Sequence, residues 1–125
     1  MSVFNQEGVI EFLFSNTDEQ LDDLDFGVVG FDINGIVKHY NATESKIAGL
    51  RRERVIGQDF FFAVAPCMNN FMVAQVFEDA RAEDKHLDLV IDYVLTLRMK
   101  PTKVKLRLLS SPAVPTSYVL IQRHF

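Results

Sequence analysis

The sequence has no tryptophan, one cysteine and three histidines among 125 residues. A lone thiol cannot close an intrachain disulfide, so a small scaffold stapled by cystines is excluded. Cys67 with His39, His86 and His124 scattered along the chain makes no zinc-type ligand set. Basic residues are outnumbered, 13 Lys and Arg against 17 Asp and Glu, which argues against the cationic footprint of a nucleic-acid binder. The one basic run, Arg51-Arg52-Glu53-Arg54, is interrupted by an acid and reads as a solvated loop face. No apolar stretch reaches the roughly 18 residues that span a bilayer. The first residues carry neither a basic n-region nor a small-residue cleavage site. The expectation is a cytoplasmic protein with a reduced thiol, no membrane anchor and no nucleic-acid partner.

Eleven phenylalanines and a hydrophobic fraction of 48% supply a core for one domain of ordinary size. Residues 1–25 carry apolar side chains at Val9, Ile10, Phe12, Leu13, Phe14, Leu21 and Leu24, separated by acids and amides. This spacing predicts short amphipathic helices that dock weakly on a larger body. The expected division is an N-terminal cap over 1–25 and a core over 26–125.

Within the core, Phe26–Phe31 reads as a strand and Asp32-Ile33-Asn34-Gly35 as a hairpin turn. Ile36–Tyr40 is the return strand. Asn41 can cap a short helix that carries Glu44 and ends at Gly49. Asp59 can cap a further turn through the phenylalanine run, which Pro66 interrupts. Helical spacing follows over 71–82, then a long strand from Leu87 to Met99, a turn at Lys100-Pro101-Thr102, an alternating strand from Lys103 to Leu109, a loop over 110–115 and a last strand from Ser117 to Gln122. Two strands, a helical crossover and three more strands make an α+β plan, with helices on one face of an antiparallel sheet.

Cys67 is either a small core residue or an attachment point. It ends the run Phe60-Phe61-Phe62-Ala63-Val64-Ala65-Pro66-Cys67, and Tyr40 and Glu44 precede it four residues apart. A phenol, a carboxyl group and a thiol in this order could hold a covalent phenolic group. Keeping a phenol ionised at neutral pH needs a downward shift of roughly three units, or about 4 kcal/mol, and burial alone pushes the other way. Hydrogen bonds given to the anion are the remedy. Tyr40 can donate one, and Glu44 can donate if burial keeps it protonated.

Leu24-Asp25-Phe26-Gly27, Asp32-Ile33-Asn34-Gly35, Tyr40-Asn41-Ala42-Thr43-Glu44, Val55-Ile56-Gly57, Phe60-Phe61, Val64-Ala65-Pro66-Cys67, Met99-Lys100-Pro101-Thr102-Lys103-Val104-Lys105 and Ser117-Tyr118 resemble the photoactive yellow proteins (xanthopsins), a light-sensing branch of the PAS family. The resemblance implies a PAS fold with a five-stranded antiparallel sheet, a helical crossover and an N-terminal helical cap. It implies p-coumaric acid (4-hydroxycinnamic acid) joined to Cys67 as a thioester, isomerised from trans to cis by blue light. Tyr40 and Glu44 match the groups that hold the phenolate, with Glu44 as proton donor. Met99 matches a methionine over the chromophore, and Ala48, Leu50, Phe60, Tyr93 and Leu95 fall at pocket positions.

The chain departs from the family pattern at several points. Ala48 stands where a threonine usually supports the tyrosine, and Leu50 where an arginine usually covers the pocket, a place that Arg51 or Arg52 could fill. Leu95 replaces an aromatic residue, and Arg107 a histidine. The expectation is a shifted absorption maximum and an altered recovery rate. Loading would need a separate activating enzyme or an activated coumaroyl donor, and output would need a downstream signalling protein or homodimer contacts. The alternative is a light-insensitive PAS module that binds a partner or small ligand. An enzyme with a cysteine nucleophile is disfavoured, because no His lies near Cys67 and alternation points His39 away from the Tyr40 face.

Overall fold

The computed structural model describes residues 8–96 and 101–123. The chain begins with helices α1 (Val9–Ser15) and α2 (Asp18–Asp22), followed by strands β1 (Gly27–Phe31) and β2 (Val37–Tyr40). The crossover holds α3 (Ala42–Ala48), α4 (Arg52–Val55), a π-helical turn (Phe60–Val64), a 3-10 turn (Pro66–Met68) and α5 (Ala74–Ala82). Strands β3 (Leu87–Leu95), β4 (Thr102–Ser111) and β5 (Val114–Arg123) complete one antiparallel sheet of order β2-β1-β5-β4-β3. The expected α+β plan with five antiparallel strands is therefore the observed one.

Local signals explain most of the boundaries. In the first turn, Asp32 Oδ1 accepts from the amides of Asn34 and Ile36, and Gly35 takes φ 80°, a left-handed conformation that a β-carbon would oppose. Asn41 caps α3 by accepting from the Glu44 amide. Asp59 caps the phenylalanine turn through the amides of Phe61 and Phe62. Helix α5 starts at Ala74, later than the spacing over 71–82 suggests. The Asn70 side chain accepts from the Met72 and Val73 amides and holds that stretch in a turn, which leaves Phe71 exposed. The expected loop over 110–115 is a tight reversal at Pro112-Ala113 between two long strands. Pro115 is tolerated in β5 because pairing with β1 starts only at Ser117.

Strand alternation divides the molecule into two cores. Val29, Phe31, Val104, Leu106, Leu108, Val119 and Ile121 face the crossover, where they meet Tyr40, Phe60, Met68 and Phe77. The phenylalanines concentrate here: the Phe31 ring lies 5.5 Å from Phe60, 5.3 Å from Phe61 and 5.1 Å from Phe77. Val28, Leu109, Tyr118 and Leu120 face the opposite side, against Val9, Ile10, Leu13 and Leu21 of α1 and α2. Helices thus cover both faces of the sheet, rather than one as the element order suggested. The cap side chains Val9, Leu13 and Leu21 are as deeply buried as the sheet residues they touch.

Candidate functional site

Tyr40 ends β2 on the crossover face and is buried. Its neighbour His39 points the other way, as alternation requires. The His39 ring stacks near Tyr118, and its Nδ1 lies 2.8 Å from Asp18 of the cap. Burial, and then the charge of Glu44, push the Tyr40 phenol well above its ordinary value, with Arg123 pulling back. The hydroxyl therefore stays protonated and able to donate.

Asn41 turns the chain from β2 into α3 and sits at a junction. Its Oδ1 accepts from the amides of Val28 and Glu44, both at 3.0 Å, and its Nδ2 donates to the carbonyls of Leu21 and Phe26. Glu44 follows on the buried side of α3, with only 1% of its surface exposed. It lies over Gly27, where a β-carbon would come within 2.1 Å of Glu44 Oε1, so glycine makes room for the carboxyl group.

The sequence reading missed the partner of this carboxyl. Arg123, at the end of β5, donates from Nη1 to Glu44 Oε1 at 2.7 Å and from Nη2 to Oε2 at 3.0 Å. The pair is bidentate and almost fully buried, with side-chain exposures of 14% for Arg123 and 2% for Glu44. Burial pushes the Glu44 carboxyl above the ordinary carboxylate range, and the Arg123 guanidinium opposes that rise. Alternation along β5 was the available signal, because Val119, Ile121 and Arg123 share a face.

Cys67 is a free, half-buried thiol in the 3-10 turn, packed against the same cluster that contains Tyr40. Its carbonyl is held from two sides: Tyr93 Oη donates at 2.6 Å and Asn70 Nδ2 at 3.0 Å. Asn70 Nδ2 also lies 2.6 Å from Tyr93 Oη, so the three groups form one knot. Tyr93, expected as a pocket residue, holds the backbone of Cys67.

The other expected residues divide. Phe60 and Leu95 are buried in the crossover core. Ala48 is buried on α3, and Leu50 is exposed. Arg52, one of the two arginines expected to fill that place, is bonded to the backbone and the cap. Its Nε donates to the Tyr40 carbonyl at 2.8 Å and its Nη2 to Asp22, so it fastens the end of β2 to the cap. Met99 lies outside the described residues, as does the end of the strand expected to reach it. Among the described residues, no His, Cys, Asp and Glu group could hold a metal ion, and no helix is long and apolar enough to cross a membrane.

The PAS fold family matches residues 15–116. The photoactive yellow protein of Rhodothalassium salexigens is 30% identical over 123 residues, covering 98% of this chain and 98% of the relative. The chain belongs to the photoactive yellow protein family. A second member, from Halochromatium salexigens, is 32% identical over 120 residues, covering 96% of this chain and 95% of its own length. The crystal structure of the photoactive yellow protein domain from the sensor histidine kinase Ppr of Rhodospirillum centenum superimposes with a TM-score of 0.79 at 30% identity, over 86% of this chain and 94% of that domain. The PAS domain of the Cronobacter turicensis quorum-sensing receptor RpfR, solved with BDSF, shares the fold alone, with a TM-score of 0.62 at 15% identity over 82% of this chain and 97% of that one. As a member of the photoactive yellow protein family, the chain is a PAS-type sensor.

Proposed function

We propose that this chain is a blue-light photoreceptor that carries p-coumaric acid as a thioester on Cys67. The observation that carries this reading is the shared apolar cluster of Tyr40 and Cys67, with Glu44 buried one helical turn beyond Tyr40. The donor set fits a phenolic ligand: a tyrosine whose hydroxyl stays protonated, and a carboxyl whose burial raises its proton affinity. When bound, the group would supply a trans-to-cis isomerisation driven by light.

The chain's own residues do the rest. Cys67 Sγ anchors the acyl end, while Tyr93 and Asn70 hold the Cys67 carbonyl so that the anchor keeps its direction. Tyr40 would donate a hydrogen bond from its hydroxyl to the phenolic oxygen and keep its proton. Glu44 holds a proton at a carboxyl oxygen in the dark and gives it up after illumination. Phe60 and Leu95 exclude water from the crossover core. The missing hydroxyl at Ala48 and the exposed Leu50 shift the absorption maximum and the recovery rate. Residues 1–25 act as a cap that responds to the change, and residues 26–125 as the core that carries the pocket. Output passes to a separate signalling protein or through contacts between two copies, and a separate enzyme supplies the activated coumaroyl group.

Reaction of the purified chain with activated p-coumarate tests this reading. The expected result is a single adduct that Cys67→Ala abolishes, with a visible band that bleaches under blue light and recovers in the dark. An adduct without a reversible band would remove the photoreceptor role. Failure to form an adduct would leave a light-insensitive PAS module.

A further inference from the structure

An ionised carboxylate in an apolar core is costly unless a fixed counter-charge and hydrogen bonds meet it. Glu44 has both. Two separate N–H groups of Arg123 reach its two oxygens, at 2.7 and 3.0 Å, in the parallel geometry of a guanidinium and a carboxylate anion. A neutral acid bears a proton on one oxygen, which leaves that oxygen a weaker acceptor for one of these two bonds. The strand order makes the pairing possible. β5 lies beside β1, so Arg123 comes to the edge of the space above Gly27 that Glu44 fills. Among the described residues, Tyr40 also interacts with both members of this pair.

We propose that Arg123 is the resident counter-ion of Glu44, and that the carboxyl group works between two positions: an anion paired with Arg123, and a neutral acid turned toward the phenolic oxygen of a seated chromophore. This rests on the photoreceptor reading for its second position only. The proton balance closes within three groups. As a neutral phenol is seated, Glu44 takes its proton: the phenolic O–H bond breaks and an O–H bond forms on a Glu44 oxygen. On illumination Glu44 returns that proton and pairs again with Arg123. Phenol, carboxylate and guanidinium carry the same total charge as phenolate, carboxylic acid and guanidinium, so no outside acid or base is required.

The consequence concerns the lifetime of the light-formed state. A buried carboxylate with no partner would strain the crossover around it. In this chain the new anion has a cation waiting, so the state is longer-lived and opens the crossover less than it would without Arg123. Arg123 is thus a positioning residue that acts through Glu44.

The first test needs no chromophore. Carboxyl-carbon NMR of the full chain, with the Glu44 signal assigned by its loss in Glu44→Gln, reads the protonation state directly. At neutral pH the parent should show Glu44 as a carboxylate. Arg123→Met should convert that signal wholly or largely to the acid, and Arg123→Lys should restore a carboxylate. If Arg123→Met does not fold, the parent and Arg123→Lys decide: Glu44 in Arg123→Lys should become an acid at higher pH than in the parent, because a lysine offers no fork. A parent Glu44 that is an acid at neutral pH, or that titrates identically without the arginine, overturns the proposal. In chain loaded with p-coumarate, the Glu44 carboxylic C=O infrared band should be present in the dark and vanish under blue light. Dark recovery should be about tenfold faster in Arg123→Lys, as expected for roughly one unit of added proton affinity on Glu44. A band unchanged by light overturns the second position. A chain that forms no adduct removes the photoreceptor reading, while the ligand-free NMR result still decides whether Arg123 is the counter-ion.

Discussion

Glu44 titrates against two opposing forces, and burial is the larger. A carboxyl whose folded-state pKa lies above its unfolded value binds its proton more tightly when folded. Its contribution to stability is therefore fully present below the ordinary carboxyl range and is lost as pH rises through the folded value. Glu44→Gln removes that loss. The stability of the parent minus that of Glu44→Gln should thus fall as pH rises out of the acid range, when both are followed by denaturant unfolding across a pH series. A difference that grows with pH would mean that Arg123 outweighs burial. Tyr118 tests the opposite case of a polar atom with nothing to gain. Its hydroxyl is buried without a hydrogen bond among the described residues, although Thr116 is a polar neighbour, and burial pushes the phenol up to about 12. Tyr118→Phe removes the buried oxygen and keeps the ring, so thermal unfolding should show a change within about 1 kcal/mol, neutral or stabilising.

The elements near the site were legible in the sequence wherever one residue carries a local signal. Asn34-Gly35 announced the first hairpin, Asn41 the start of α3 and Asp59 the phenylalanine turn, and each acts through hydrogen bonds within four residues. What the sequence did not disclose depends on distant pairing. Nothing local tells that β5 inserts between β1 and β4, yet that order brings Arg123 to Glu44 across 79 positions. The Tyr93–Cys67 knot, 26 positions apart, is hidden for the same reason. Asn41 joins the two kinds of information, because its cap is local while its other bonds reach the cap segment and β1. Asn41→Ala would take the side-chain acceptor from the buried amides of Val28 and Glu44 and one donor from the carbonyls of Leu21 and Phe26, and should cost at least about 2 kcal/mol in urea unfolding. Asn41→Asp keeps the acceptor and should recover part of that loss. If the alanine variant loses no more than an exposed cap does, the junction is not what couples α3 to the cap.

Across the whole molecule, the cap is held in two different ways. Its second half is tied by polar bonds to the site. Leu21 gives its carbonyl to Asn41, Leu24 gives one to Thr43, and Asp22 accepts from the Ala42 amide and from Arg52. Among the described residues, α1 makes no hydrogen bond to the sheet and is held by the burial of Val9, Ile10 and Leu13. Two stages of release follow. Apolar burial without polar ties can open locally, whereas the second half cannot leave without breaking the Asn41 junction next to Glu44. Amide hydrogen exchange should therefore show α1 exchanging faster than α2, with α2 close to the sheet. Leu13→Ala, at a fully buried site, should weaken docking by about 2–5 kcal/mol and raise exchange in α1 selectively. Leu21→Ala should raise exchange in α3 as well, because it loosens the segment whose carbonyl Asn41 holds. In chromophore-loaded protein, light should deprotect α1 first and most. Equal exchange in α1 and α2, in the dark and in light, would show that the cap moves as one piece and that its polar ties do not set the order of release.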